Sequence, residues 1–388
     1  MYRVTLAKQA MALKWYYPQT ATQEQLQALD VLVKKGPPNE RFLWPLELVR
    51  PDARAQFGYL MPLRTNNYKS IVDLMKRRIE PSFRELAIAG RQLADSYFQL
   101  HVSGLCYRDI SFGNVFFDPK NGEVRVCDND NVMVNGTSGG GVLGTSRFMA
   151  PEIVRREAFP SAQTDRFSLA VLLFYIFMFH HPLEGKREAD IHVFDQAAMA
   201  KIYGTDPLFI FDPHDQSNAP VKGYQDNALI FWKIYPQFLR DLFTRSFTDG
   251  LKYPENGRVL ENEWRSAMVR LHDAIFYCAH CNAQNFYDID TLRSNGGVPA
   301  PCWSCQERIV LPFRMRLESN IIMLNHDTKL YPHHIDRQKK WDFSQSIAQV
   351  NRHPTDPNRW GLKNTSGARW VVINVKINFG NAEGEIRY

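Results

Sequence analysis

The feature that most constrains the fold of this chain is a pair of short apolar segments bordered by acidic and amide residues. Asp109 and Asn114 precede the segment Val115–Phe117, and Asp128 follows the segment Val124–Val126. Alternating apolar residues on either side of a turn predict a β-hairpin, which would bring the three polar residues to one end of a small sheet. Carboxylate and amide oxygens suit Mg²⁺ bound to a phosphate chain, and a spare carboxylate can orient a hydroxyl.

The residues around this hairpin resemble the protein kinase superfamily. YRDISFGN, residues 107–114, is similar to the family's catalytic loop H-R-D-L-x-x-x-x-N, and Asp128 stands where the metal-binding Asp opens D-F-G. GTSRFMAPEI, residues 144–153, resembles the end of an activation segment. A lone R-D or A-P-E is a weak signal, but several such elements in the right order and spacing are specific. The alternative is a set of unrelated loops around structural carboxylates.

The resemblance implies an α+β, two-lobed protein-kinase-like fold, with an N-lobe at 1–63 and a helical C-lobe at 64–277. It implies a serine/threonine protein kinase that transfers the γ-phosphoryl group of ATP, with Asp109 as catalytic base and Asn114 and Asp128 as magnesium ligands. The A-P-E segment is a peptide-docking platform in kinases, which argues against a small-molecule phosphotransferase.

Three further parts of the nucleotide site are expected in the N-lobe by the same resemblance. Met11–Lys14 is similar to the V-A-I-K strand, so Lys14 would hold the α and β phosphates; the alternative is a lysine at a strand edge. Residues 61–63 would be the hinge that lines the adenine pocket, and since Pro62 has no N–H, the donor to adenine must be Met61 or Leu63. The Gly-rich loop over the phosphates is expected upstream of these residues, so that the N-lobe is truncated before it, unless the nucleotide is covered differently.

A helix at Thr22–Lys35 is predicted by a capping box, an apolar face and the glycine and prolines that follow. In kinases an acid of this helix pairs with the strand lysine. Glu24 has the spacing for this role, and Asp30 is the alternative because it lies beside the apolar face. For both residues a solvated helix charge is equally compatible with the pattern.

Two positions depart from the family pattern. The lysine usually found two positions after the catalytic Asp is Ser111, which removes a cation from the transferred phosphoryl group. D-F-G is replaced by Asp128-Asn129-Asp130, which removes the Phe of the usual switch and adds a carboxylate able to bind a second metal or raise a neighbour's pKa. These departures keep open a second function, a nucleotide-binding pseudokinase that acts as a scaffold.

Other C-lobe residues receive structural or regulatory roles from the resemblance. Arg108 is a cation that can pair with a phosphate on the activation segment, and Asp165 would bond the backbone of the catalytic loop. Arg258 would pair with Glu152 of A-P-E, a surface arginine being the alternative. The candidate phosphate acceptors are Thr137, Ser138, Thr145 and Ser146, of which Thr145 is expected to contact Asp109 instead.

Periodicity predicts the remaining elements of the first 277 residues. Helices are expected at Ser82–His101, Phe167–Phe179, Asp195–Tyr203, 227–247 and 260–276, and strands at Tyr2–Val4, Met11–Trp15, Leu43–Val49 and Phe57–Leu60. The apolar run Phe167–Phe179 is too short to cross a bilayer and is typical of a buried helix. The N-terminus does not resemble a secretory signal, and the net charge of +6 is spread along the chain. We therefore expect a cytoplasmic protein with no membrane or nucleic-acid partner.

Four of the six cysteines form two C-x-x-C pairs, which are separated by 20 residues. This is the spacing of a zinc ribbon, placed here at 278–309, and four thiolates make a closed structural Zn²⁺ site. The expected ligands are Cys278, Cys281, Cys302 and Cys305. Disulfides are the alternative, but a chain without a secretory signal favours metal. Cys106 and Cys127 are expected to be buried apolar residues.

The segment 310–388 is rich in strand-like patterns and predicts a small β-sandwich. It dimly resembles forkhead-associated domains. A kinase lobe followed by a zinc ribbon and a β-rich tail resembles the bacterial kinases of tellurite-resistance-associated triads. That resemblance implies two partners besides a protein substrate, a von Willebrand A-like protein and a metal-dependent phosphatase.

Overall fold

The computed structural model describes residues 1–50, 56–137, 143–317, 320–356, 359–370, 376–379 and 382–385. The chain divides into two compact units, Met1–Val269 and Arg270–Tyr388. Among the described residues, no helix is both long enough and apolar enough to span a bilayer.

The first unit begins with a four-stranded antiparallel sheet in the order β1-β2-β4-β3. Its strands are β1 (Tyr2–Leu6), β2 (Gln9–Trp15), β3 (Glu47–Val49) and β4 (Gly58–Pro62). Ala7 and Lys8 form the two-residue turn between β1 and β2, and both have positive φ, 47° and 69°. Two such residues in succession match the twist of the flanking strands.

Three of the four predicted N-lobe strands are confirmed, and the fourth is shorter than expected. Only Glu47–Val49 of the predicted Leu43–Val49 pairs with β4. The backbone N–H of Leu43 instead donates to the carbonyl of Val126, at 2.8 Å. The start of this segment therefore lies against the hairpin that follows the predicted catalytic loop.

Helix α1 (Gln23–Lys35) confirms the helix predicted from the capping pattern. The hydroxyl of Thr22 accepts the backbone N–H of Gln25 at 3.1 Å, which satisfies one of the helix's unpaired N-terminal donors. Gly36 ends the helix with a φ of 76°, a conformation that favours glycine. Leu29 and Leu32 are the buried residues of the helix.

The rest of the first unit is mainly helical and contains the expected hairpin. Its strands are β5 (Lys69–Ser70), β6 (Leu105–Cys106), β7 (Val115–Phe117), β8 (Val124–Val126) and β9 (Met133–Val134). Its helices are α2 (Ile71–Met75), α3 (Phe83–Val102), α4 (Pro151–Val154), α5 (Ala162–Met178), α6 (Lys186–Ala189), α7 (Gln196–Ala200), α8 (Asp226–Ile234), α9 (Gln237–Phe247) and α10 (Asp249–Lys252), and α11 (Glu261–Asp273) follows them.

The long helices α3 and α5 form the centre of this part. Ser82 and Glu85 make the predicted capping box at the start of α3. Every residue of α5 from Phe167 to Met178 is buried, which confirms the prediction of a core helix. The helix begins earlier than Phe167, at Ala162, and its cap is Ser161. A side chain at Gly90 would lie 2.8 Å from the sulfur of Met268, so glycine permits close packing on α3. The segment 227–247 is divided between two helices, α8 and α9, whereas the helix predicted at 260–276 is confirmed as α11, which ends at Asp273.

The second unit contains small antiparallel sheets and two short helices. Its strands are β10 (Ile275–Tyr277), β11 (Gln284–Phe286), β12 (Arg314–Leu317), β13 (Asn320–Met323), β14 (Lys329–Leu330), β15 (Ala348–Arg352), β16 (Trp360–Asn364), β17 (Lys376–Phe379) and β18 (Ala382–Glu385). Its helices are α12 (Ile289–Ser294) and α13 (Pro332–Ile335). Strands β14, β15 and β16 make one sheet and the others pair in twos. The sandwich stays a prediction, and residues 318–319, 357–358, 371–375, 380–381 and 386–388 of its segment lie outside the described residues.

Candidate active site

The hairpin β7–β8 brings the three residues predicted to form the site to one end of a small sheet. Val115 pairs with Val126, and beyond that pair the N–H of Cys127 donates to the carbonyl of Asn114 at 2.8 Å. Cys127 therefore lies opposite Asn114, and Asp128 is the next residue in the chain. The local pattern of apolar residues is sufficient to build this end of the site.

Asp109 is held by hydrogen bonds from two directions. Asn114 donates from Nδ2 to Oδ2 of Asp109 at 2.9 Å and to its backbone carbonyl at 2.8 Å. Thr145 donates from its hydroxyl to Oδ1 of Asp109 at 2.7 Å, which confirms the predicted contact. Since the amide nitrogen of Asn114 is used by Asp109, the amide oxygen is the atom left for a cation.

Asp165 fixes the loop that carries Asp109 through hydrogen bonds to the backbone of that loop. This carboxylate accepts the backbone N–H of Tyr107 at 2.5 Å and of Arg108 at 3.1 Å, as predicted. It also accepts from Nε2 of His101 at 3.1 Å, while Nδ1 of the same ring contacts Glu261 at 2.6 Å. Burial alone would lower the pKa of His101, but the hydrogen bonds and charges of the two acids outweigh it and raise the pKa to about 9.

His101 and Glu261 were not singled out from the sequence. They lie 160 residues apart, and in the sequence each is an ordinary polar residue of a predicted helix. No local pattern indicates that a charged imidazole supports the loop. The hydroxyl of Tyr107 adds a further link, because it donates to the carbonyl of Cys127 in the hairpin.

Lys14 lies on β2 and faces the end of the hairpin. Its Nζ is 2.8 Å from Oδ1 of Asp130 and 3.4 Å from Oδ1 of Asp128. Burial lowers the pKa of Lys14, but the two carboxylates, Asp130 most strongly, outweigh it and raise the pKa. The lysine is thus charged and directed at the acids of the D-N-D sequence.

The predicted ion pair between Lys14 and an acid of α1 is not formed among the described residues. Glu24 is exposed in the first turn of the helix, and Asp30 accepts from Lys34 at 2.6 Å on the solvent side. Successive helical residues differ by about 100° in direction, and this phase turns Gln25 rather than Glu24 towards the site. Nε2 of Gln25 donates to the hydroxyl of Tyr16 at 3.2 Å.

The two acids of the D-N-D sequence have different surroundings. Asp130 is 7% exposed and accepts hydrogen bonds from Lys14, Tyr16 and Tyr59. Asp128 is 36% exposed and adopts a left-handed conformation with a φ of 51°. Asp128 is therefore the acid that is accessible to a cation from solvent, and Ser111, at the family's lysine position, is buried.

The predicted hinge lies at the end of β4. Met61 is buried in a cluster with Tyr59, Ala12 and Cys127, and it pairs with Ala12 in the ladder. Leu63 follows the strand, and within the described part of the chain its N–H makes no backbone hydrogen bond. Leu63 thus has the donor that an adenine ring requires.

The segment after residue 143 is anchored by a buried ion pair. Arg258 donates from one nitrogen to both carboxylate oxygens of Glu152 in α4, at 2.7 and 2.9 Å, as predicted. The guanidinium of Arg108 donates through Nε to the carbonyl of Asn131. Thr137 is described and exposed, whereas Ser138 lies outside the described residues.

In the second unit, the four paired cysteines converge. The sulfurs of Cys278 and Cys305 are 3.7 Å apart, as are those of Cys281 and Cys302, and all four lie within 4.8 Å of one another. A disulfide needs about 2.05 Å, whereas tetrahedral zinc with Zn–S bonds of about 2.3 Å places sulfurs roughly 3.8 Å apart. The donor set fits Zn²⁺.

Within the cysteine cluster, the surroundings favour a thiolate at Cys302 but not at Cys305. The backbone N–H of Glu307 lowers the pKa of Cys305, but burial and the other three cysteines outweigh it and raise the pKa to about 12. Burial would raise the pKa of Cys302, but the backbone N–H of Cys305 and the amide of Asn285 outweigh it and lower the pKa to about 6. Cys106 and Cys127 are buried, as predicted, and burial raises the pKa of each to about 12.

A second cluster, formed by Asp273, His333 and His334, does not fit a metal. The ring nitrogen Nδ1 of His334 accepts the backbone N–H of Tyr331 at 2.8 Å, so the proton must be on Nε2. That Nε2–H is directed at Asp273, 3.3 Å away. Ligation through Nε2 would require the imidazole to lose both protons, and the pair is a structural hydrogen bond.

Comparison with known proteins agrees with this geometry. Residues 59–234 match the family model of the protein kinase domain. The chain is similar to CBL-interacting protein kinase 4 of Oryza sativa subsp. japonica, with 30% identity over 145 residues, 36% of this chain and 31% of that protein. It is similar to protein kinase gsk3 of Schizosaccharomyces pombe, with 25% identity over 173 residues, 44% of this chain and 42% of the relative.

A third relative is the probable serine/threonine-protein kinase CCRP1 of Zea mays, with 28% identity over 119 residues, 30% of this chain and 19% of the relative. The chain thus spans less than half the length of each of these three relatives. By sequence, residues 59–234, which contain both helices and strands, are thus similar to protein kinase domains, and one of the three relatives is named as a probable serine/threonine kinase.

Proposed function

We propose that this chain is an ATP-dependent serine/threonine protein kinase that transfers the γ-phosphoryl group to a protein hydroxyl. The observation that carries the proposal is the position of Asp109, whose carboxylate is held by Asn114 and Thr145 beside the hairpin end that presents Asp128. A carboxylate that is not itself a metal ligand, next to two oxygen ligands for a cation, is the arrangement that phosphoryl transfer requires.

In the proposed mechanism, Asp109 orients the acceptor hydroxyl and takes its proton. The hydroxyl oxygen forms a bond to the γ-phosphorus, the bond from that phosphorus to the β–γ bridging oxygen breaks, and ADP leaves with the electron pair. Lys14 holds the α and β phosphates, and Leu63 or Met61 donates to adenine. Asn114, through its amide oxygen, and the accessible Asp128 would hold Mg²⁺, which when bound neutralises charge on the phosphate oxygens.

The cysteine cluster supports a structural Zn²⁺ held by Cys278, Cys281, Cys302 and Cys305 in a ribbon at 278–309. We assign the N-lobe to 1–63, the C-lobe to 64–277 and a β-rich domain to 310–388. The zinc site has no open position for a substrate, so its role is to stabilise the fold.

The cellular setting follows from the resemblance to the kinases of bacterial tellurite-resistance triads. It gives a cytoplasmic enzyme with a von Willebrand A-like protein and a metal-dependent phosphatase as partners. Co-purification of a tagged chain with either protein tests this part of the proposal.

The alternative function is a nucleotide-binding pseudokinase that acts as a scaffold through its zinc ribbon and tail. One observation favours it. Ser111 replaces the lysine of the catalytic loop. Loss of one cation near the transferred group lowers turnover, but it leaves nucleotide binding possible.

Incubation with labelled ATP, Mg²⁺ and a generic protein acceptor tests the choice. The kinase proposal expects transfer that falls about 100-fold or more in Asp109→Asn, with ATP binding retained, and unchanged transfer in the control Asp30→Asn. Transfer that is equal in Asp109→Asn and the wild type would remove Asp109 as base. ATP binding without any transfer supports the scaffold.

A further inference from the structure

Asp130 is the acid around which the nucleotide end of the first unit is arranged. Its Oδ1 accepts from Nζ of Lys14 at 2.8 Å and from the hydroxyl of Tyr59 at 3.0 Å, and its Oδ2 accepts from the hydroxyl of Tyr16. Both oxygens are thus used by donors from β2, its C-terminal extension and β4. A nearly buried carboxylate with these donors is a fixed anchor and has little capacity left for a cation.

Helix α1 supplies a neutral group at the same place. Gln25 is the α1 residue that reaches the cluster, through the hydroxyl of Tyr16, while Glu24 is exposed. An amide cannot balance the charge of Lys14. The compensating negative charge comes from Asp130, with Asp128 at the longer distance of 3.4 Å.

We propose that the acid that positions Lys14 has moved from helix α1 to the loop that binds the metal, with Asp130 as the positioning residue and Gln25 completing the network through Tyr16. The inference rests on the proposed function, since it assumes that Lys14 holds phosphates. Asp130 does not contact the nucleotide in this scheme. It fixes the direction and the charge of the lysine that does.

This arrangement changes what controls the site. In the family pattern an acid on the mobile helix must approach the strand lysine. Here the acid that holds the lysine, Asp130, and the proposed metal ligand, Asp128, lie in one short segment. It consists of Asp128 and the single helical turn Asn129–Asn131 that follows it. Order in this segment, rather than inward motion of α1, would then set the competence of the nucleotide site.

Steady-state kinetics with ATP as the varied substrate distinguish the two arrangements. Asp130→Asn is expected to lower kcat/KM for ATP about 10- to 100-fold, since Lys14 loses its orientation. Glu24→Gln and Asp30→Asn, matched losses of one carboxylate on α1, are expected to change it less than about twofold. Wild-type kinetics in Asp130→Asn, or an equal loss in Glu24→Gln, would overturn the inference.

A second substitution that places a carboxylate on helix α1 should restore part of the activity lost in Asp130→Asn. Adding Gln25→Glu to Asp130→Asn returns an acid to the helix position that faces the cluster, and it should recover at least about fivefold of the lost kcat/KM. A purely structural role for Asp130 predicts no recovery, and that result would reject the proposal. Should Asp130→Asn fold poorly, Tyr16→Phe can be used instead. It removes one donor to Asp130 and leaves the pair with Lys14, so kcat/KM for ATP is expected to decrease by less than the roughly 10- to 100-fold expected for Asp130→Asn.

A measurement without turnover separates this inference from the proposed function. Thermal unfolding of Lys14→Met, Asp130→Asn and the double variant, in the absence of nucleotide, forms a double-mutant cycle. A combined Tm shift smaller than the sum of the single shifts is expected, and additive shifts would contradict the contact. An inactive wild type would overturn the kinase proposal while this cycle still reports on Lys14 and Asp130.

Discussion

Arg258 and Glu152 form an ion pair in which a single guanidinium nitrogen lies within hydrogen-bonding distance of both carboxylate oxygens. The arginine side chain is almost completely buried, and a second nitrogen donates to the carbonyl of Gln163 at 2.8 Å. Through Arg258, α4, which contains Pro151 and Glu152 of A-P-E, is thus joined to the start of α5. This contact attaches the end of the segment 144–153 to the helical core.

Removal of one partner should therefore be costly. Arg258→Ala leaves the Glu152 carboxylate without its partner, and we expect the free energy of unfolding to fall by about 3–5 kcal/mol. Urea denaturation measures the change. Lys34→Ala, which breaks the exposed pair with Asp30, serves as control and should cost less than about 0.5 kcal/mol. Similar losses in the two variants would show that burial of the pair has no effect.

The hydroxyl of Thr145 should matter for turnover because it donates to Asp109. Thr145→Val removes this hydrogen bond, and kcat for phosphoryl transfer is expected to fall about tenfold. Thr145→Ser retains the hydroxyl and should remain close to the wild type. Equal rates in both variants would mean that the contact has no part in orienting the carboxylate.

The stability of the first unit should depend on the charge of His101. Its pKa is about 9 in the folded chain and about 6.5 when unfolded. A raised pKa stabilises the fold fully below pH 6.5, and this contribution is lost as the pH rises through about 9. The Tm of the wild type should therefore fall towards that of His101→Gln between pH 6.5 and 10. Parallel curves for the two proteins would contradict a charged imidazole between Asp165 and Glu261.

Zinc should be bound by the four cysteines and by no other residue of the ribbon. Cys278→Ser is expected to lose the metal and to lower the Tm, because breaking a closed thiolate site removes folding free energy. His280→Ala should retain one zinc per chain, since this exposed histidine is outside the cluster. Metal analysis by mass spectrometry of both variants decides the point, and zinc loss in His280→Ala would change the ligand set.

Much of the site could be predicted because its elements are local in sequence. The strands β7 and β8 follow one another, so their alternating residues and turn specify which ends meet. The capping residues of α1 and α3 are equally local, and both helices begin where the pattern predicts. The cysteine site was predictable because the spacing of its two C-x-x-C pairs is visible in the sequence.

The partner of Lys14 could not be found in this way. The spacing of residues along the chain favours Glu24 as the partner. The direction of a side chain, however, depends on how the helix is rotated about its axis against the sheet. The burial of Leu29 and Leu32 sets that rotation. From the sequence, Asp130 is a departure from a pattern that adds a carboxylate able to raise a neighbour's pKa, as it does for Lys14, but the sequence does not say which neighbour. Its role emerges from hydroxyl groups on β4 and after β2, which are distant in the chain.

Cys127 packs in the same apolar cluster as Ala12 on β2 and Met61 on β4, and the neighbouring Val126 accepts the backbone N–H of Leu43. The end of the hairpin is thus attached to the small sheet, and it is also attached to the loop of Asp109, through Asn114 and the hydroxyl of Tyr107. Asp165 in turn holds that loop against α5. The hairpin end therefore links the sheet to the helices, so a displacement of either would reach both Lys14 and Asp109.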